Sequence, residues 1–263
     1  MFTETGRASI LENRFILTVK QMRERIYRML DYGLSRLKHQ EYRLDRSVPL
    51  SLLVGTALRR LIWLLRGSVK CGVLQRRFRF VFMAPDVNLR NATLIRFGRG
   101  VTLEKGVIID GLSHDGVVFG NNVAIGAYSL VRASSPSSLG AGVTMGNNSA
   151  MDAYSFIGAA GRVLIGENVI MGQHVSFHAE NHNYDRTDIP IKQQGARRIG
   201  IVIGDDCWVG SNTTFLDGSH VGRGCVIAAG SIVRGEIPPY SVAAGAPARV
   251  LRSRVLVEAA PAL

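Results

Sequence analysis

Residues 203–233 read IGDDCWVGSNTTFLDGSHVGRGCVIAAGSIV, and a bulky apolar side chain returns at every sixth position: Ile203, Val209, Phe215, Val221, Ile227 and Val233. Four residues after each of the first five stands a small one: Cys207, Thr213, Ser219, Cys225 and Ser231. A period of six matches neither the 3.6 of a helix nor the alternation of a lone strand; it is a repeat signature of a parallel β-helix. Because six is even, the bulky and small positions point to one side of the chain and their neighbours to the other. Three hexads close a triangular coil of about eighteen residues, and successive coils stack at the ~4.8 Å spacing of paired strands.

The register extends upstream. Phe97, Leu103 and Ile109 keep it, with Val101 and Val107 as the small partners. Phe119, Ile125 and Val131 follow with Val123 and Ser129, then Leu139, Met145, Met151 and Ile157 with Val143, Ser149 and Ser155. Ile165, Met171 and Phe177 complete it with Val169 and Val175. Every small position is Val, Ser, Thr or Cys, a rule that a chance pattern would not hold through fourteen positions.

The interruptions carry as much information as the repeat. The step from Ile109 to Phe119 is ten, so four residues are inserted; Val131 to Leu139 and Ile157 to Ile165 each insert two. From Phe177 to Ile203 the step is twenty-six, so twenty residues leave the coil. Insertions in a repeat architecture become loops on one face, often the binding face. The long one, residues 178–202, is polar and reads HAENHNYDRTDIPIKQQGARRIGIV, which makes it the first place to look for chemistry.

Charge is unevenly spread over the 263 residues. Of the net +12, residues 1–80 carry +11 and residues 81–263 only +1. That argues against a β-helix that grips nucleic acid, and for an N-terminal segment that meets something anionic. The first thirty residues are charged throughout and show no secretory signal, which predicts a cytoplasmic protein, peripheral on the inner face of the cell membrane. Cys71, Cys207 and Cys225 do not make a disulfide framework. Cys207 and Cys225 are eighteen apart and are expected to stack inside adjacent coils as small reduced side chains.

Three regions follow: a basic helical region at 1–80, a β-helix domain at 81–252 carrying the loop 178–202, and a tail at 253–263. Phe15, Val19, Met22, Ile26, Met29, Gly33 and Leu37 alternate steps of four and three, which predicts a helix over about 9–39 with a heptad-like seam. A second helix is predicted over 50–66 after Pro49. Its Arg59, Arg60 and Arg66, with Lys70 beyond, cluster on one side, Trp63 falls among them, and leucine, isoleucine and valine fill the rest. Two arginines in mid-segment exclude a spanning helix. The pattern suits either a helix lying in an anionic membrane surface or one that covers the β-helix end or joins subunits.

VLIGENVIMGQHVSFHAENHNYD, from Val163, and IGIVIGDDCWVGSNTTFLDGSHVGRGCVIAAGSIVRGEIPPYSVAAGAPARVL, from Ile199, closely resemble the hexapeptide-repeat acyltransferases. Within them they are similar to the sugar O-acetyltransferases of the galactoside/maltose type, and to those of capsule, exopolysaccharide and O-antigen assembly. The specific part is the order: an Asn-His loop, then CWVGSN, AAGSIV and IPPYSVAAGAPARV. The resemblance covers about residues 85–252. It implies a left-handed β-helix, a homotrimer, acetyl-CoA in a groove between neighbouring subunits, and direct transfer of the acetyl group to a sugar hydroxyl.

The resemblance also implies site residues. His182, within Asn181-His182-Asn183-Tyr184, takes the role of general base, and the backbone of Ser211 in Trp208-Val209-Gly210-Ser211 that of oxyanion donor. The chemistry agrees: a hydroxyl is a poor nucleophile near neutral pH, imidazole titrates there, and the tetrahedral oxyanion needs a fixed N–H. Acceptor contacts fall on Asp152, Asn181, Tyr184 and Trp208; Asp152 stands thirty residues before His182, where the galactoside type commonly has Asn. Cofactor contacts fall on Ser211, Ala229, Gly230, Ser231, Arg234 and Arg249; where the family often has Thr-Lys, this chain has Arg234-Gly235. No metal is expected.

A γ-class carbonic anhydrase would need three convergent imidazoles, and His174, His178 and His182 are not spaced one coil apart. A serine O-acetyltransferase also precedes its β-helix with helices but calls for a different histidine context. A sugar N-acyltransferase would use similar base chemistry. An inactive β-helix scaffold at the membrane is the alternative without catalysis.

Overall fold

In a computed structural model, residues 4–38, 41, 43–76, 78–133 and 138–255 are described. The chain divides into two compact units, Met1–Arg60 and Leu61–Leu263. The second is a parallel β-helix, as the period of six predicts, and left-handed, as the family resemblance implies. Its strands are mostly two or three residues long and fall on three faces. The first face stacks parallel strands from Val81–Met83 to Ser241–Gly245, closed by the antiparallel Ala248–Ser253; the second runs from Asn88–Arg90 to Ile232–Val233; the third from Ile95–Phe97 to Glu236–Ile237.

Partners along each face repeat the spacing read from the sequence, as in Met151↔Met171, Met171↔Val209 and Val209↔Ile227. All fourteen small positions are buried, and so are Phe97, Leu103, Ile125, Met145, Met171, Val209 and Ile227. Phe177 and Phe215 stack inside at 4.8 Å. The inward hydroxyls and thiols bond to carbonyls of the next coil: Ser219 Oγ to Val233 at 2.9 Å, Cys207 Sγ to Gly222 at 3.2 Å, Cys225 Sγ to Pro238 at 3.0 Å. This explains why the small position tolerates Ser, Thr and Cys beside Val: a buried polar group is cheap only when it has a partner. Both cysteines are free thiols, and burial pushes that of Cys207 up to about 11.

One register position is corrected. Leu139 is 40% exposed and lies between the strands Leu130–Arg132 and Val143–Met145, not on a face. Met145 pairs with Phe119, so the coil is interrupted once, by eight residues between Val131 and Met145. A loop leucine that happened to stand six before Met145 imitated the repeat.

The first helix, α1, spans Glu4–Lys38 and the second, α2, Leu50–Gln75. In the first unit Asp31 accepts bonds from Arg46 and from the Leu44 N–H, which hold its carboxyl below the usual carboxylate range. Of the heptad-like seam, Met22, Met29 and Gly33 are exposed, while the side chains of Phe15, Val19 and Leu37 lie outside the described residues.

The second helix runs nine residues beyond its predicted end. Gly67 and Gly72 read as weak points for a helix, yet Gly67 is buried, and a Cβ there would stand 1.9 Å from the Val81 carbonyl oxygen. The glycine lets the helix press on the first coil. That coil has no strand above it to occupy its carbonyls, and the helix supplies the donors. Arg66 bonds Met83 O at 3.1 Å, Lys70 bonds Val87 O, Ser68 bonds Arg79 O at 3.0 Å, and Gln75 bonds Ala92 O and Ile95 O at 3.0 and 2.9 Å. Two members of the expected basic face are therefore turned to the β-helix. The exposed side of the helix is apolar: Leu58, Leu61, Ile62, Leu65 and Val69 are each more than half exposed. The end-covering reading of this helix holds for its C-terminal half.

Candidate functional site

The chain leaves the coil after Ser176–His178 on the second face and returns at Ile201–Ile203 on the third. Between them Asn181–His182 pairs antiparallel with Ala196–Arg197, His182 opposite Ala196, so the long insertion is a hairpin that lifts His182 off the prism. Its tip is closed from within. Gln194 donates to the carbonyls of Arg186 at 2.7 Å and Ile189 at 3.1 Å and accepts from the Arg186 N–H at 3.1 Å. Asn183 donates to Gln194 O from its amide at 3.0 Å and to Gly195 O from its N–H at 3.0 Å.

The root of the hairpin is held by two carboxylates that were not singled out from the sequence. Glu180 receives the Arg198 guanidinium through Nε and Nη2, both at 2.6 Å. Asp217, whose side chain has no exposed surface, accepts the Gly200 N–H at 2.8 Å and the Ile199 N–H on both oxygens at 2.8 and 3.0 Å. Buried carboxylates persist where charge-assisted bonds satisfy them. Asp217 follows inward Phe215 and outward Leu216, so a carboxylate stood at an inward position of the register. That was the available signal, and it marks the place where the loop rejoins the coil.

His182 is exposed, and among the described residues no side chain hydrogen-bonds its ring. Asn181 is half-buried beside it and Tyr184 is exposed. The other predicted residues lie elsewhere on the prism. Along the corner between the first and second faces stack Asp152, then Gly172, then Gly210 and Ser211, then Ala229 and Gly230; the N–H groups of Asp152, Gly172 and Gly210 donate to Met171, Val209 and Ile227 of the following coil, and the Gly230 N–H donates back to Ser211 O. A Cβ at Gly210 would meet the Ala229 N at 2.4 Å, so only glycine allows this approach of backbone to backbone. At Gly230, with φ +72°, a Cβ would meet nothing within 4 Å, and the backbone is open to whatever lies along the corner.

Asp152 is exposed and its Oδ1 accepts the Ala153 N–H at 2.7 Å. Trp208 projects outward from the first face, next to the corner. Ser231 is buried, with its hydroxyl on Ala228 O at 2.6 Å, so it has only its backbone to offer a ligand. Arg234 and Arg249 are exposed. One chain thus gathers Asp152, Ser211, Ala229 and Gly230 on one corner and carries His182 on a hairpin from another.

The three loop-proximal histidines are also apart. The His174 ring stacks on Tyr154 at 5.3 Å along the first corner, and Tyr154 on Tyr128 at 5.5 Å. His178 faces Phe156 on the second face at 5.4 Å. Among the described residues no group of three His, Cys, Asp or Glu side chains is placed to hold a metal ion.

Residues 200–235 match the family described as bacterial transferase hexapeptide (six repeats). The chain is 30% identical over 164 residues to the putative lipopolysaccharide biosynthesis O-acetyl transferase WbbJ of Escherichia coli, covering 62% of this chain and 74% of that protein. It is 45% identical over 76 residues to the probable acetyltransferase Rv3034c of Mycobacterium tuberculosis, which is 29% of this chain and a quarter of that protein's length (25%). Among solved structures, the N-acyltransferase AntD of Bacillus cereus, in complex with dTDP and 3-hydroxybutyryl-CoA, aligns with a TM-score of 0.46 at 15% identity over 66% of this chain and 80% of its own.

Proposed function

The chain belongs to the hexapeptide-repeat acyltransferase family, and from that premise we propose that it transfers an acetyl group from acetyl-CoA to a sugar hydroxyl in bacterial surface-polysaccharide assembly. The observation that carries this reading is the hairpin. At the longest break in the repeat, the chain builds a twice-anchored loop and sets an exposed imidazole on it.

In this reading the acceptor hydroxyl attacks the thioester carbonyl carbon while its proton passes to the His182 ring. The Ser211 N–H stabilises the oxyanion. On collapse the C–S bond breaks, the CoA sulfur takes the proton from the imidazolium, and an O-acetyl sugar and CoA leave. General-base help of this kind is worth about 10²–10⁴ in rate. The open backbone at Gly230 and the close stack of Gly210 on Ala229 form a smooth ledge on which an extended pantetheine can lie, with Arg234 and Arg249 available to phosphates. Asn181, Tyr184, Trp208 and Asp152 are proposed to hold the acceptor. The working unit is a homotrimer, which brings a hairpin of one subunit to the ledge of the next.

The acceptor, in the same proposal, is carried at the inner face of the membrane, to which the N-terminal region binds peripherally. No helix among the described residues is long and apolar enough to cross a membrane. The apolar side of α2 would enter the interface, and the +11 of residues 1–80 would favour anionic lipid at about 1 kcal/mol for each basic group near the surface. Flotation with anionic liposomes at low salt should carry the protein, and Leu65→Glu with Val69→Glu should abolish it; no flotation of the parent protein removes this part of the proposal.

The transfer itself is tested by thiol release from acetyl-CoA with sugar acceptors, and by mass spectrometry of surface glycan from a strain lacking the protein. No thiol release with any sugar, and unchanged glycan acetylation, would overturn it.

A further inference from the structure

At the root of the hairpin, beside the segment that carries His182, lies a cavity of about 350 Å³ that has no role in the scheme above. Four separate stretches of chain build it. On the second face Arg132, Gly158 and His178 occupy one outward column, as the partners Gly158↔Arg132 and Gly158↔His178 require. Neighbouring strands are ~4.8 Å apart, so Arg132 and His178 flank a gap of roughly 10 Å with no side chain in the middle.

Phe156, two residues earlier on the middle strand, fills the floor of that gap. A Cβ at Gly158 would stand 2.8 Å from Cε1 and 2.9 Å from Cζ of its ring, so the glycine is what lets the ring lie across the column. The His178 ring meets it at 5.4 Å, tilted by 48°. The far wall is Arg198, already engaged by Glu180 at 2.6 Å and by Ser138 Oγ at 2.6 Å.

Charge and shape together define the occupant. Arg198 is matched by Glu180. Arg132 is exposed; Asp110, its cross-strand neighbour one coil earlier, accepts from the Asn91 amide and the Leu112 N–H, and no ion pair among the described residues includes Arg132. The cavity therefore presents one unmatched guanidinium at the edge of an aromatic floor, with a histidine opposite. Guanidinium binds carboxylate or phosphate through two parallel N–H bonds, and an aromatic ring takes the C–H face of a sugar. A volume near 350 Å³ is of the size of one sugar ring with its substituent.

We propose that this cavity is a subsite for a sugar residue bearing an anionic group, carboxylate or phosphate, with Arg132 on the anion and Phe156 under the ring. The inference rests on the acetyltransferase reading only in naming the ligand as part of the acceptor. The root of the hairpin is one wall of the cavity, so a sugar seated here keeps its reactive end near His182.

Binding is measured by calorimetry on the whole protein without acetyl-CoA, using glucuronate, glucose 1-phosphate and glucose as probes. Glucuronate, glucose 1-phosphate or both should bind at least tenfold tighter than glucose. Which of the two anions leads distinguishes a uronic acid from a phosphorylated sugar. Arg132→Gln should remove the preference for the anion and leave glucose unchanged, and Phe156→Ala should weaken all binding. Arg132 is exposed on the outer face, so a normal far-ultraviolet spectrum and oligomer size are expected of its variant. Equal affinity for glucose and both anions, or an anion preference that survives Arg132→Gln, overturns the subsite. If the preference is present and Arg132-dependent but no sugar is acetylated, the subsite stands and the acetyltransferase reading falls. If neutral sugars are acetylated and no anion binds, the reverse holds.

Discussion

Asp217 is buried, never touches a reacting group, and is expected to control the rate. Its carboxylate accepts two N–H groups, one from Gly200 at 2.8 Å and one from Ile199 shared between both oxygens at 2.8 and 3.0 Å. Hydrogen bonds to a charged acceptor contribute about 1.5–3 kcal/mol each. In Asp217→Ala the two losses are not equal. Ile199 is 62% exposed and water can replace the carboxylate there, whereas Gly200 is buried and its N–H is left without an acceptor. The sum comes to about 3 kcal/mol, a roughly hundredfold rise in local opening of the loop. The inner stack does not depend on Asp217, so the cost falls on residues 179–200.

Hydrogen exchange read by mass spectrometry should therefore show faster exchange by about two orders of magnitude in peptides from 179–200, with strands such as Val163–Ile165 unchanged. Steady-state kinetics should show kcat falling about tenfold or more while KM for acetyl-CoA holds, because the Ser211–Gly230 ledge lies on another corner. Asp217→Asn keeps one acceptor oxygen and should fall between the two. Wild-type exchange in this loop together with a lost kcat would refute the reasoning, and so would a loosened loop with an unchanged kcat.

Other expectations follow from single contacts. His182→Ala should keep the oligomer and CoA binding and lose transfer by about 10² or more, while His178→Ala should act on acceptor KM and cost far less, as steady-state kinetics with varied acceptor would show. The Cys207 thiol, pushed by burial from 9.0 to about 11, should not react with Ellman's reagent at pH 8 in the folded protein. Because its folded value is raised, the stability tied to the neutral thiol is complete below about pH 9 and is lost as pH rises toward 11; the urea midpoint should drop across that window and drop less in Cys207→Ala. Gly67→Ala gains about 1 kcal/mol of helix propensity in isolation yet should destabilise the protein in urea melts, because its Cβ would stand 1.9 Å from Val81 O.

The sequence disclosed what repeats and concealed what is made once. Period-six spacing placed the core because each inward position meets the same neighbours one coil away, so one rule covers Phe97 as well as Ile227. It misplaced Leu139 because spacing alone cannot tell a loop residue from a coil residue when the arithmetic agrees. The second half of α2 was missed for the opposite reason: Gly67 and Gly72 lower helix propensity, and only the Val81 carbonyl, from a different part of the chain, makes Gly67 necessary. The role proposed for His182 rests on the family motif around it. The supporting residues were not legible, because Glu180 meets Arg198 eighteen residues away and the Arg132–Gly158–His178 column joins positions twenty-six and twenty residues apart. The twenty-six between Arg132 and Gly158 spans the eight-residue break before Met145, so that pair becomes neighbours only once the break is placed correctly.

The long insertion between Phe177 and Ile203 bears on how the proposed site would be assembled. Asp152, Ser211, Ala229 and Gly230 stack on the corner between the first and second faces, while the His182 hairpin springs from the corner between the second and third. A β-helix is stiff, since each coil is bonded to two others along three faces, so it cannot fold one corner onto another. A hydroxyl that gives its proton to His182 while its oxygen attacks a thioester held at Ser211 needs both within about 3 Å of the reacting atoms. In the proposed scheme a second copy, turned so that its hairpin faces the ledge of the first, would meet that demand. Transfer should then vanish on dilution or mutation that separates subunits, even while each separated chain keeps its folded coils.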